Sequence, residues 1–182
     1  MTPRYKEQKV TQAAARLLRQ DGGRMPYMKL IKLLYLADRT ALLRWGQPIS
    51  YDLYYSLPHG PILSLTLDKI NSEPESNEKS YWHEHISAPD GYDVELLADV
   101  EGDQMSPAEE ALIDEIFGAF GHMNQWELSE LLHVYPEWQD PEGSSIPISI
   151  RDIFRAEGIP EETIDEIEEA LEADATAERL LA

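Results

Sequence analysis

Cysteine is absent from the 182 residues, which excludes a disulfide framework, a thiol nucleophile and a cysteine-ligated metal. No stretch approaches the ~18 uninterrupted apolar residues of a membrane span. The opening Met1-Thr2-Pro3-Arg4-Tyr5-Lys6-Glu7 has no apolar core of a secretory signal, so a soluble cytoplasmic chain is expected. Phosphate-cradling glycine loops are missing, because Gly22-Gly23 is not followed by Gly-Lys-Ser/Thr. No serine sits in a nucleophile elbow, and no enzyme activity or cofactor is expected. Positive charge is scarce as well: fifteen Lys and Arg face thirty-five Asp and Glu, a net −20. Such a chain repels a phosphate backbone and suits a partner with a basic surface. The imbalance is uneven, +7 over residues 1–45 and −27 over residues 46–182, so DNA binding through the N-terminal part stays open.

Apolar residues make up 42%, enough for the core of one domain. Val10, Ala13, Ala14, Leu17 and Leu18 recur at helical spacing, and Asp21-Gly22-Gly23 stops that helix. A second helix is predicted over residues 27–45, apolar around most of its circumference and therefore central. Lys29, Lys32 and Arg39 share one narrow stripe of it, either a solvated edge or a strip facing a partner. Residues 49–57 alternate with period two and predict a strand, broken by Pro58-His59-Gly60-Pro61, with a short helix over residues 62–70. Residues 71–80 read as an exposed loop. Residues 81–87 and 92–98 flank Ala88-Pro89-Asp90-Gly91 and predict a hairpin.

Helices return with Ser106-Pro107-Ala108-Glu109 and Asn124-Gln125-Trp126-Glu127, two capping boxes ahead of apolar stripes. A short helix is expected over residues 149–157. Pro160 opens a last one, whose thin stripe of Ile164, Ile167 and Leu171 is surrounded by carboxylates, and which needs docking to its own domain or to a partner. The expected fold is α+β and mainly α-helical: a buried central helix wrapped by the others, with a small antiparallel sheet from residues 49–57, 81–87 and 92–98 at one side.

Several motifs then fall in order. Lys29-Leu30-Ile31-Lys32-Leu33-Leu34-Tyr35 is followed by Gly46-Gln47-Pro48, by Gly60-Pro61-Ile62, by Trp126-Glu127-Leu128-Ser129-Glu130-Leu131-Leu132-His133, and by Pro136-Glu137-Trp138. Over about residues 5–157 the chain resembles the Panacea domain, the SocA-like antitoxin family that also includes phage-associated GepA proteins. The helix-turn-helix module that many relatives carry is not seen here. The resemblance implies a domain over residues 1–158, with residues 159–182 an acidic helical extension beyond the family pattern. It implies an antitoxin of a bacterial or prophage toxin–antitoxin system that neutralises a cognate protein toxin by stoichiometric binding. A proteolysis adaptor delivering the toxin to a cellular protease is the alternative, ahead of a DNA-binding regulator or a metal-dependent hydrolase. The partners to expect are a toxin with a basic surface, that protease, and a second copy of the chain; neither a membrane nor nucleic acid is expected for this chain alone.

The stiff Pro58-His59-Gly60-Pro61 loop is either a structural turn or, with Tyr54 and Tyr35, part of the partner-contact surface. Tyr35 is otherwise a core aromatic with a bonded hydroxyl. The partner-binding candidates are thus Lys29, Lys32, Tyr35, Tyr54, His59, Gly60 and Pro61, with Ile164, Ile167 and Leu171 as a second contact. His83-Glu84-His85 would place two imidazoles on one strand face, with His59 a conceivable third ligand; a surface hairpin pair is the simpler reading. His133 ends its helix, where an imidazolium favours the dipole.

Overall fold

The computed structural model describes residues 4–74 and 80–182. Its first helix, α1 (Glu7–Gln20), buries the stripe from Val10 to Leu18 and ends where Gly22 and Gly23 take φ of +82° and +90°. Strand β1 (Arg24–Pro26) leads into α2 (Tyr27–Trp45), closed by Gly46 in the left-handed region. Strands β2 (Tyr54–Leu57) and β3 (Gly60–Leu63) form a hairpin, followed by α3 (Ser64–Asn71), α4 (Tyr81–His85) and β4 (Asp93–Glu95). Helices α5 (Pro107–Phe120) and α6 (Gln125–His133) come next, then β5 (Ile146–Ile148), α7 (Ile150–Ala156) and α8 (Glu161–Leu181). The fold is α+β and mainly helical. Helix α2 is its centre, packed against α1, α3, α5, α6, α7 and β3. Among the described residues no helix is long and apolar enough to cross a membrane.

Both capping boxes form: Ser106 and Glu109 exchange side-chain and backbone bonds at α5, and Asn124 and Glu127 do so at α6. Ser149 and Asp152 make a third at α7.

The β-structure departs from expectation. The strand over residues 49–57 shrinks to β2, because two buried carboxylates take the backbone donors a ladder would use. Asp38 accepts from the N–H groups of Ile49 and Ser50 at 3.0 Å each. Asp52 accepts from those of Leu53, Leu65 and Thr66. Between them Tyr51 is held at φ +53°. Pro58 and His59 make the two-residue turn of the hairpin, so residues 60–63 are strand and the following helix starts only at Ser64.

Residues 81–87 are not a strand either. The Ser80 hydroxyl caps α4, and Trp82 and Ile86, four apart, bury one helical face. Of the expected hairpin there remain the bridges Ile86 with Leu96 and Asp90 with Asp93, and the backbone bonds from Ser87 N–H to Glu95 O and from Leu97 N–H to His85 O. The described strands form two antiparallel sheets, β1-β4 and β3-β2-β5, in place of one. Of the loop expected at residues 71–80, Asn71 ends α3, and residues 75–79 lie outside the described residues.

Charge explains how the two halves of the chain fit. Of the ten Lys and Arg in residues 1–45, nine pair with a carboxylate, among them Arg16 with Asp114, Arg24 with Asp93, Arg39 with Glu137 and Arg44 with Glu115. The N-terminal positive excess is met inside the molecule, and only Lys32 finds no carboxylate among the described residues.

Helix α8 is docked by the same means. Ile164 is fully buried, and Ile167 packs over Gly46, where a Cβ would stand 3.4 Å from its Cγ2. Arg151 reaches Glu161, Asp165 and Glu168, while Arg4 and Lys6 hold Glu178 near the far end. These cations relieve the like-charge crowding along the helix.

Candidate functional site

The hairpin turn between β2 and β3 is the point on which the sequence motifs converge. Three consecutive carbonyls of the turn each accept a side-chain donor from a different element. Trp138 Nε1 donates to Leu57 O at 2.9 Å, His133 Nε2 to Pro58 O at 3.0 Å, and Lys32 Nζ to His59 O at 2.5 Å. The His133 ring also lies against Trp138, with centroids 4.1 Å apart. Gly60 has φ +117°, which favours glycine, and a Cβ there would crowd Lys32 Nζ at 3.0 Å. The turn is thus fixed from below in one conformation.

A buried polar network ties the same elements together. Glu137 accepts from Tyr35 Oη at 2.9 Å and Arg39 Nε at 2.5 Å, and the Arg39 guanidinium lies 4.1 Å from the Tyr135 ring centroid. Tyr35 meets Tyr54 edge-on, and the Tyr54 hydroxyl donates to Asp38 at 2.9 Å. Burial raises the Asp38 carboxyl to about 6 against the opposing hydrogen bonds from Ser50 and Tyr54. The Tyr54 and Tyr35 hydroxyls are pushed up by burial and by the carboxylates they face.

These contacts match the reading of Tyr35 as a core aromatic with a bonded hydroxyl, and they correct the surface positions expected for several other candidates. Tyr35 and Lys32 are 0% exposed, Tyr54 is 4%, and Lys29 is buried with its ammonium on Asp21 and the Gly121 carbonyl. Gly60 and Pro61 are buried, while His59 is exposed at the tip of the turn. Ile164 is buried and Ile167 and Leu171 are half-buried within the chain's own fold. The stripe of Lys29, Lys32 and Arg39 is therefore neither a solvated edge nor an open strip.

The structure sets other residues beside His59. Trp126, on the first turn of α6, meets its ring edge-to-face at 5.7 Å and is 59% exposed. Together with Tyr92, 70% exposed, and with Tyr27, Met28, Gln125 and Ser129, they line a 350 Å³ pocket. Gln125 Oε1 is buried and accepts no hydrogen bond among the described residues. One signal in the sequence pointed here: Trp126 lies about 160° around the helix from Leu128, on the face opposite the apolar stripe. A second groove of 370 Å³ runs between β2, β5 and α8, walled by Tyr51, Tyr55, Pro147, Ile150 and Leu171.

The arrangement offers contact chemistry. His83 is bonded on both ring nitrogens: Nε2 donates to Lys69 O and Ser72 O, and Nδ1 accepts from the Ser80 hydroxyl. His85 donates from Nδ1 to Tyr81 O, and the two histidines sit on a helix, not on one strand face. Among the described residues no group of three His, Asp or Glu side chains is placed to hold a metal ion.

Lys32 makes a sharp pH prediction. Desolvation lowers its ammonium from 10.5 to about 8. Between those values the unfolded chain holds more protons than the folded one, so stability gains with rising pH. The stability of the protein relative to Lys32→Met should rise by about 1–2 kcal/mol between pH 7 and 9.5. The raised tyrosines act oppositely near pH 10 in both chains and cancel in the difference. Denaturant unfolding across that range measures it, and a flat difference contradicts the burial of an unpaired ammonium.

A family model described as antitoxin SocA-like, Panacea domain, matches residues 30–139, from α2 through Trp138. No curated protein and no solved structure matches the chain.

Proposed function

The chain belongs to the SocA-like antitoxins with a Panacea domain, and on that premise we propose that it neutralises a cognate protein toxin by direct stoichiometric binding. The contact surface is the braced hairpin turn with His59 at its tip, flanked by Trp126 and Tyr92. The observation that carries this reading is the exposed aromatic group of Trp126 and Tyr92 beside a turn braced through its carbonyls. Trp and Tyr are the residues that dominate binding energy at interfaces, and a turn already fixed loses little freedom when a partner docks. Lys29, Lys32, Tyr35 and Tyr54 then act from below by holding that surface in shape. Chromatography of the chain with the product of the adjacent open reading frame, once that product is shown to be toxic, tests the reading: a co-eluting complex of fixed ratio supports it, and two separate peaks defeat it.

Charge supports a basic partner. On α8 the carboxylates of Glu161, Asp165, Glu168 and Glu178 turn to the chain's own cations, while Glu162, Glu166, Glu169 and Glu172 are exposed and have no cation among the described residues. An unpaired acidic stripe steers a basic protein toward the complex. Changing these four to Gln should slow association about tenfold at low salt and leave dissociation unchanged. Stopped-flow mixing at two ionic strengths reads both rates; equal association rates would remove α8 from the encounter.

A further inference from the structure

We infer that the groove between β2, β5 and α8 docks a helical segment of the toxin that carries an apolar face with Lys or Arg beside it. This second contact, apart from the hairpin turn, rests on the antitoxin reading above. The groove is built on the outward face of a sheet. Tyr54 and Ile148 are buried on the inner face, so Tyr55 and Pro147, which pair across the two strands, face the other way. Tyr51, Leu53 and Ile150 join them, and Leu171 and Ala175 line the groove from α8. An apolar surface of this kind, left open to water, marks a docking site.

The walls select the shape of the occupant. A strand cannot extend the sheet here, because β5 is three residues long with Pro147 in its middle. A volume of 370 Å³ takes about three apolar side chains, the number that one helix face presents over two turns. Charge selects the sign. Four charged residues line the groove, and three of them are already answered: Arg4 by Glu178, Glu168 by Arg151, and Asp52 by the N–H groups of Leu65 and Thr66. Glu172 is left over, exposed and without a cation among the described residues, and Glu169 one turn away is in the same condition. A cation flanking the apolar face answers them. A second copy of the chain would set its own carboxylates against these, and an apolar anion would meet the same repulsion with Arg4 already spent.

The test needs no toxin. The full chain is labelled with carbon-13 in its isoleucine and leucine methyl groups, and the Ile150 and Leu171 signals are assigned through Ile150→Val and Leu171→Met. Three synthetic peptides of about fifteen residues serve as probes. One carries leucine along one helical face and lysine elsewhere; in the second glutamate replaces lysine, and in the third serine replaces leucine. The leucine–lysine peptide should move both signals saturably below the millimolar range, and the other two should not. Glu172→Gln should weaken that binding at least threefold at low salt, through slower association. Ala175→Arg, which fills the groove and adds a cation to it, should weaken it at least tenfold, with the melting temperature unchanged. Unmoved signals, an equal response to either control peptide, or wild-type binding by both variants overturns the inference. Signals that shift when the chain alone is concentrated assign the groove to a second copy and overturn it too. A co-elution run with toxin separates the two claims: failed peptide binding with a stable toxin complex sinks only the groove, and peptide binding without any toxin complex sinks the antitoxin reading.

Discussion

Trp126→Ala should weaken the toxin complex by about thirtyfold or more, a loss of at least ~2 kcal/mol, with no change in melting temperature. The indole is 59% exposed in the free protein and the ring it meets edge-to-face, His59, is exposed as well, so the folded state loses little when it is removed. His59→Ala should follow in the same direction with a smaller effect, because its ring is smaller and part of its role is to hold Trp126 in orientation. Calorimetric titration with purified toxin and a thermal melt of each variant separate binding from folding. Wild-type affinity for Trp126→Ala would move the contact surface elsewhere, with the groove along α8 as the next candidate.

Glu137→Ala should have the largest effect on stability, about 3–5 kcal/mol, enough to unfold a marginal domain. The carboxylate is completely enclosed, and its removal strands two groups at once: the Arg39 guanidinium and the Tyr35 hydroxyl. Glu157 keeps one bond to Arg39 at 2.7 Å, but it is exposed and cannot shield the buried Nε. Glu157→Ala should therefore cost under about 1 kcal/mol, as exposed partners do. Urea unfolding of the pair decides it. Equal, small losses would mean that the network is incidental to the fold; a large gap places Glu137 at its centre.

Much of the helical frame was legible because its signals are local. The apolar periodicity of α1 and α2 and the capping boxes at Ser106 and Asn124 each depend on residues a few positions apart, and each formed as read. The strands failed where a distant group decided the outcome. Alternation over residues 49–57 looked sound, but Asp38 and Asp52 capture the backbone there through contacts that no local pattern encodes. In residues 81–87 a helix of five residues is too short for periodicity to distinguish from a strand, and the Ser80 cap settles it.

The candidate site was half legible for the same reason. The motifs marked Lys32, His59, Gly60, His133 and Trp138, yet no pattern in the sequence joined Lys32, His133 and Trp138 to the carbonyls of that loop; the turn carbonyls at residues 57–59 do so in three dimensions. A long lysine on a mostly apolar helix reads as an edge residue, and only the folded chain reveals that its ammonium is spent on a carbonyl. The exposed aromatics went unmarked because Trp126 sat inside a capping box, where the cap explained its neighbours and hid its own orientation.

The most direct check of the central claim is a titration of toxin activity with the purified chain. Stoichiometric neutralisation predicts that activity falls linearly and vanishes at one fixed molar ratio, and that denaturing the complex returns active, chemically unaltered toxin. Full silencing by a small fraction of an equivalent, or a toxin recovered cleaved or covalently changed, would contradict it.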